Sequence, residues 1–457
     1  MKNYFLYIAP LISVFAFGQE HFNGISTSSR VGILNANYNP AELVNMNNKF
    51  EVGGLSFSAN IGNDKIGFSD IFSDTSIEEK LFLGDGVVNL RADVEAYLPS
   101  FAMKYQKWAF GISAKAQGKL DVVDVNTNLG NALSNSAIDA ILGGSTTINS
   151  DTNQRLNGTT WGEISLVAAR NIMDTEKYSF NVGATVKLLF PGSYANLGLD
   201  KFQGTITRDI SQQLTLSNAS ANLNIAYSGS LGNSFANFDE YSKSVFGGLN
   251  GLGADIGANF QLKDDANSNK KNAYKINAGL SIRNIGAMTF KDENNQSTNY
   301  ALSIPNATPG NPGLNLNQFQ NLDSLEEIEQ ILLSSGYLTK QNDSNDFKAK
   351  LPTTINLYAD FKVIPKLYVT GYLQQKVNKD GNNDQITAQN TFTITPRFST
   401  NYFEVFAPIG SNEISGFNTG IGFRVGGFFI GSGSIVTALI NDSKQADIYT
   451  GFRWSFL

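Results

Sequence analysis

The chain ends Tyr449-Thr450-Gly451-Phe452-Arg453-Trp454-Ser455-Phe456-Leu457, and the alternation in this stretch decides the fold. From Ile448 onward, Ile448, Thr450, Phe452, Trp454 and Phe456 fall on one face of an extended strand. Tyr449, Gly451, Arg453 and Ser455 fall on the other. Successive side chains point to opposite sides of a strand, so one face suits lipid while the other carries a cation and small polar groups. A terminal strand with an exposed aromatic face is an aggregating edge in a soluble protein. Pairing it with the first strand of a closed barrel removes that edge. The spacing of Tyr449, Gly451, Trp454 and Phe456 also resembles the C-terminal signal read by the barrel-assembly machinery, with Leu457 following the final aromatic.

Composition agrees with a membrane barrel. Charged residues make up 16%, against about 25% in ordinary soluble domains. The 43 glycines and 11% aromatics suit strands that face lipid outside and a lumen inside. Mean hydropathy is -0.17, and no stretch after the N-terminus approaches about 18 consecutive apolar residues, so no spanning helix is expected. A net charge of -6 argues against a nucleic-acid partner. With no cysteine there is neither a disulfide framework nor thiolate chemistry.

Residues 1–18 read as a secretory signal. Lys2 supplies the charge, Tyr4 to Phe17 is largely apolar, and Ala16-Phe17-Gly18 puts small residues where a signal peptidase inspects them. Cleavage after Gly18 leaves Gln19 first. The apolar run is short of the roughly 20 residues that a membrane-spanning helix needs.

Alternation recurs along the chain. Leu252, Ala254, Ile256, Ala258, Phe260 and Leu262 oppose Gly253, Asp255, Gly257, Asn259, Gln261 and Lys263. Further runs give fourteen expected strands: 50–60, 97–105, 108–118, 159–170, 177–190, 251–263, 273–283, 350–363, 366–377, 385–397, 400–409, 415–425, 428–440 and 446–457. Short connections such as Gln106-Lys107, Asn171 to Glu176, Ile364-Pro365, Phe398-Ser399 and Gly426-Gly427 alternate with excursions at 61–96, 119–158, 191–250 and 284–349. Short periplasmic turns and long extracellular loops are the expected asymmetry of such barrels. The long loops carry helix signals: a capping box at Ser324 to Glu327 before Leu325, Ile328, Ile331 and Leu332, a start at Ser76 to Glu79, and weaker candidates at 131–142 and 235–246. The expectation is that these helices pack on the barrel rim.

Before the first strand, Asn39 is a good helix N-cap and Pro40 suits a first helical turn. The stretch Asn39, Pro40, Ala41 and Leu43 resembles the N-terminal Asn-Pro-Ala-Gly-Leu segment of FadL-like outer-membrane barrels, with Glu42 in place of that glycine. In that family the segment plugs a barrel of fourteen strands. After the signal at 1–18, the resemblance implies a plug-like segment at 19–49 and a barrel at 50–457. Lys350-Leu351-Pro352-Thr353-Thr354 and Leu98-Pro99-Ser100-Phe101 make the chain similar to uncharacterised barrels of Bacteroidota, a fold group that includes PorV-related secretion accessories.

Catalytic and metal chemistry finds little support. The one histidine, His21, lies near the expected mature N-terminus, on a segment expected to be mobile, and there is no Gly-x-Ser-x-Gly. Gly251-x-Gly253 and Gly420-x-Gly422 sit in strands without a following helix, unlike nucleotide-binding loops. Asp264-Asp265 and the turn Asp380 to Asp384 lack calcium-loop spacing and read as solvated turns. The expectation is a non-enzyme of the outer membrane, without metal or cofactor, whose partners are outer-membrane lipid and the barrel-assembly machinery. One function that fits is a conduit or binding barrel for a hydrophobic small molecule, with Gly257, Gly279, Gly420 and Gly422 leaving room along the lumen wall. The other is an accessory or scaffold subunit of an outer-membrane secretion or assembly complex.

Overall fold

The structure is a computed structural model that describes residues 21–456, leaving out residue 29 and 73–76, 134–143, 209–212, 236–237, 244, 265–272, 292–294, 321, 323 and 441. The expected signal at 1–18 therefore lies outside the described residues, as do Ser76 and most of the candidate helix 131–142.

Fourteen antiparallel strands close into a ring. Closure joins Phe50–Asn63 to Gln445–Phe456, from Phe50 opposite Phe456 to Gly62 opposite Gln445, with one bulge between Gly53 and Ser56. The period of two sorts the side chains physically. Phe57, Ile61, Val186, Leu280 and Phe452 are exposed on the outer face, while Glu51, Asn60, Lys187, Asn277 and Gln445 are buried inside. Tight turns at Gln106, Lys366 and Gly426, each with positive φ, gather at the end of the barrel that holds both of its terminal strand ends. By the asymmetry expected of such proteins, that end is labelled periplasmic and the opposite one extracellular.

Several wall strands differ from expectation, and each for an identifiable reason. The second begins at Val87 rather than 97 and is broken between Val87–Tyr97 and Ser100–Tyr105. Pro99, which has no N–H to donate, stands in that break. Pro352 and Pro408 interrupt the eighth and eleventh wall strands in the same way. The expected strand 428–440 stops after Phe428–Ser432, and Ile435–Ile440 is a helix. Its turn is pinned by Asp447, which accepts from Gly433 N at 2.6 Å and Ser434 Oγ at 2.5 Å. The expected strand 385–397 runs instead over Thr391–Ser399, and the preceding chain folds into the barrel mouth.

Three of the expected long loops contain strands beyond the wall. Tyr178–Arg208 rises through the wall and continues beyond it, where it pairs with Ser145–Asn149 and Leu214–Ser228. Gln296–Ile304 and Leu338–Ser344 complete an antiparallel sheet above the membrane. Its apolar face, including Phe202, Ile206, Leu223 and Leu302, packs against the helices Thr127–Leu133 and Leu325–Ser334. Ser324 Oγ accepts from Glu327 N, as the capping box requires, and Gly336 ends the helix at φ 77°. This helix covers the extracellular sheet rather than the rim. Glu329 on its inner side is buried and accepts from Tyr300 OH at 2.5 Å and Gln296 Nε2 at 2.9 Å.

Candidate functional site

The lumen is filled from both ends, and the N-terminal segment fills the periplasmic half. Phe22, Ile25, Val31 and Leu34 pack on Tyr97, Phe406, Phe429 and Tyr449 of the wall. Ile33, Leu43, Val44 and Met46 pack on Ala102, Ala109 and Val167. Asn39 Oδ1 caps the short 3-10 helix Pro40–Asn45 by accepting from Ala41 N at 3.0 Å, and its amide donates to Ala258 O on the wall at 2.9 Å.

The motif residues sit in a socket of wall glycines. A Cβ on Gly183 would stand 2.5 Å from the Pro40 carbonyl carbon, and one on Gly257 would stand 2.0 Å from Asn39 Oδ1. Gly279 faces Asn39 and Tyr358 in the same way. The room expected beside Gly257 and Gly279 is therefore taken by the plug, not by a passage. Gly422 faces the rings of Phe406 and Tyr449, and Gly420 faces the backbone of Ser432 and Gly433.

Glu42, at the position that departs from the FadL-like motif, is buried. Its carboxylate accepts from Asn45, Asn259 and Asn277 at 2.7–2.9 Å and from the Tyr358 hydroxyl. Burial raises the Glu42 carboxyl above the ordinary range, and these donors oppose the shift. His21, expected on a mobile end, is held inside: its Nδ1 lies 2.9 Å from Ser58 Oγ, and Tyr38 OH donates to its carbonyl. Among the described residues, no group of three or more histidines and carboxylates is placed to hold a metal.

Residues 377–390 form a strap across the opposite mouth. Ile386, Thr387 and Ala388 are buried, so their apolar alternation marks a packed interior and not a lipid face. The strap's carbonyls are taken by wall side chains. Arg155 donates to Asp380 O and Gln385 O, Arg91 to Ala388 O, Lys119 to Thr387 O and Gln374 to Gln389 O. Asp380, expected in a solvated turn, pairs with Arg91 at 2.6 Å and Lys376 at 2.5 Å. Between plug and strap, five neighbouring wall strands contribute a ladder of alternating charge. Lys115 lies 2.6 Å from Glu95 and 3.9 Å from Glu163, and Lys187 lies 3.5 Å from Glu163 and 2.9 Å from Asp255.

Apolar space lies elsewhere. A recess of about 790 Å³ runs over the outside of the wall, among Phe57, Ala92, Ala116, Tyr241, Ile435 and Ala438, where bilayer lipid would lie. A second chamber of about 140 Å³ sits in the extracellular unit among Leu129, Leu199, Phe202, Leu216, Leu314 and Leu332. Gln154 and Arg155 border this chamber on one side, and Arg155 also holds the strap. No periodicity rule signals this chamber, because its leucines come from strands and helices far apart in the chain.

The C-terminal residues divide by face. Trp454 is 69% exposed and Phe456 46% exposed on the outer wall. Tyr449 is buried, donates to Asn23 O at 2.6 Å and packs on Phe22, so it serves the plug. Gly451 faces Ser56 and Phe429, and Arg453 donates to Glu51 Oε2 at 2.6 Å inside the ring.

These features define a transmembrane β-barrel with its lumen closed by a plug and a strap. The chain belongs to a family of unknown function, DUF5723, whose profile matches residues 40–433. Among solved structures it is similar to a TodX monoaromatic hydrocarbon channel mutant, at 12% identity over 96% of this chain and 97% of that one, with a TM-score of 0.48. It is also similar to the toluene transporter TbuX of Ralstonia pickettii, at 11% identity over 95% and 96% of the two chains and a TM-score of 0.42. For the P. putida toluene transporter TodX the identity is 9%, over 93% and 94%, with a TM-score of 0.43. No curated protein matches the sequence significantly. At such identities function has to be read from this chain's own residues.

Proposed function

We propose that this protein is an outer-membrane barrel that binds an apolar small molecule in its extracellular leucine-lined chamber and is a conduit closed by the plug and the strap. The observation that carries this is the chamber itself. Its volume of about 140 Å³ is close to that of an apolar protein cavity of about 150 Å³ that takes up benzene. Arg155 gives a physical link from chamber to strap: a ligand that shifts the strand at Gln154 to Leu156 would strain its bonds to Asp380 O and Gln385 O. The secretory signal expected at 1–18 and the aromatic C-terminal strand support outer-membrane placement. In this proposal Tyr449, Gly451, Trp454 and Phe456 are the residues offered to the barrel-assembly machinery, and Asn39, Pro40, Ala41 and Leu43 are those that seat the plug.

The test is fluorobenzene titration of the barrel in lipid nanodiscs, followed by fluorine NMR. Saturable binding that disappears in Leu216→Trp, which fills the chamber, is expected. Arg155→Leu should bind as well as the native protein while increasing the passage of small solutes through reconstituted membranes. Absence of saturable binding, or binding unchanged in Leu216→Trp, would refute the chamber as a ligand site. A closed membrane with Arg155→Leu and unaltered hydrocarbon uptake in a deletion strain would refute the conduit.

A further inference from the structure

The chamber between plug and strap contains a cation that makes no ion pair among the described residues. Arg283 borders a cavity of about 40 Å³ together with His21, Glu95, Lys115, Lys119 and Gln374. The lysines are occupied: Lys115 by Glu95 and Glu163, and Lys119 by Asp93 at 2.9 Å and Thr387 O. Arg283 is not. It is 8% exposed, its Nε has no hydrogen-bond partner, and among the described residues its guanidinium makes no ion pair. The centroid of the Tyr38 ring of the plug lies 4.6 Å from its guanidinium carbon. A π face attracts a cation but does not neutralise its charge. Asp255 and Glu95 act on it electrostatically but make no ion pair with it, so its buried Nε–H is left without an acceptor, which is unfavourable.

We infer that this chamber is a binding site for a small inorganic anion of halide size, seated on Arg283. The volume sets the class. At about 10–15 Å³ of such space per water, the cavity takes a guest no larger than a few waters, which suits a small inorganic ion. The consequence reaches the plug. Tyr38 stacks on Arg283, donates through its hydroxyl to His21 O at 2.8 Å, and accepts at its carbonyl from Ser281 Oγ at 2.6 Å. An anion that holds Arg283 in place therefore also steadies the plug.

The experiment uses the full barrel. Crystals soaked in sodium bromide should show an anomalous peak at the Arg283 guanidinium, absent in Arg283→Gln. In solution, the midpoint of thermal unfolding should be higher in sodium chloride than in sodium gluconate at equal ionic strength. It should rise with each tenfold increase in chloride, because a ligand bound only by the folded state adds stability by mass action. Arg283→Gln should lose this difference. If that variant does not fold, the bromide peak and the salt comparison on the native protein still decide the matter. A chamber holding only water, a bromide peak kept by Arg283→Gln, or equal midpoints in the two salts would overturn the inference.

Discussion

Replacing Gly183 by valine should eject the plug while leaving the wall intact. Gly183 faces the lumen opposite Ala169 and Gly257 on the adjoining strands, and only hydrogen separates its Cα from the plug. A Cβ there would lie 2.5 Å from the Pro40 carbonyl carbon and 2.6 Å from Ala41 N, both backbone atoms that no rotamer change can move. Ordinary contact begins at 3.4 Å, so the Pro40–Ala41 backbone must retreat by 0.9 Å. The Asn39 amide bond to Ala258 O, now 2.9 Å, would stretch to 3.8 Å and be lost, and the donors around Glu42 would be pulled out of register. Overpacking of this kind is worth about 1–3 kcal/mol, and about 1.4 kcal/mol is tenfold in population, so the released plug should become roughly ten- to a hundredfold more frequent. The chain has no cysteine, so Ala36→Cys, buried in the docked plug, gives a clean maleimide probe. Labelling should accelerate by that factor in Gly183→Val and stay at the native rate in Ala184→Val, on the exposed side of the same strand. Equal labelling in all three backgrounds would refute the glycine socket.

The plug should also respond to pH. Because burial raises Glu42 above 4.5, the docked state binds the proton more tightly than the released one. Docking is then fully favoured below the released-state value, weakens as pH rises through the docked-state value, and levels off above it. The Ala36→Cys labelling ratio between native and Glu42→Gln backgrounds, followed across pH, should show this slope, and a flat ratio would contradict it. At the C-terminus, Trp454→Asp with Phe456→Asp should prevent insertion, seen as loss of heat-modifiable gel mobility in the outer-membrane fraction, whereas Arg453→Ser inserts normally. Asp on the lipid face costs less than the roughly 2–4 kcal/mol of a midplane cation, so most of the defect should come from the lost assembly signal.

The barrel was legible in the sequence because its constraint is local. Lipid outside and polar groups inside impose a period of two on every spanning strand, and a tail such as Ile448 to Phe456 shows it without help from the rest of the chain. Asn39-Pro40 likewise announces its short helix through a cap and a fixed φ. The same period failed wherever burial had another cause. Ile386 and Ala388 alternate with polar residues as a wall strand does, yet they pack inside the mouth because Arg91, Lys119 and Arg155 hold the strap's carbonyls. Phe202, Leu216 and Leu302 alternate too, but toward a helix-covered extracellular core. What only the tertiary structure decided was the meaning of the glycines, the role of Glu42 and the setting of Arg283. Each depends on which distant side chain arrives opposite it, and a closed ring brings together residues separated by two hundred positions or more, such as Asn39 with Ala258, beyond the reach of any local pattern.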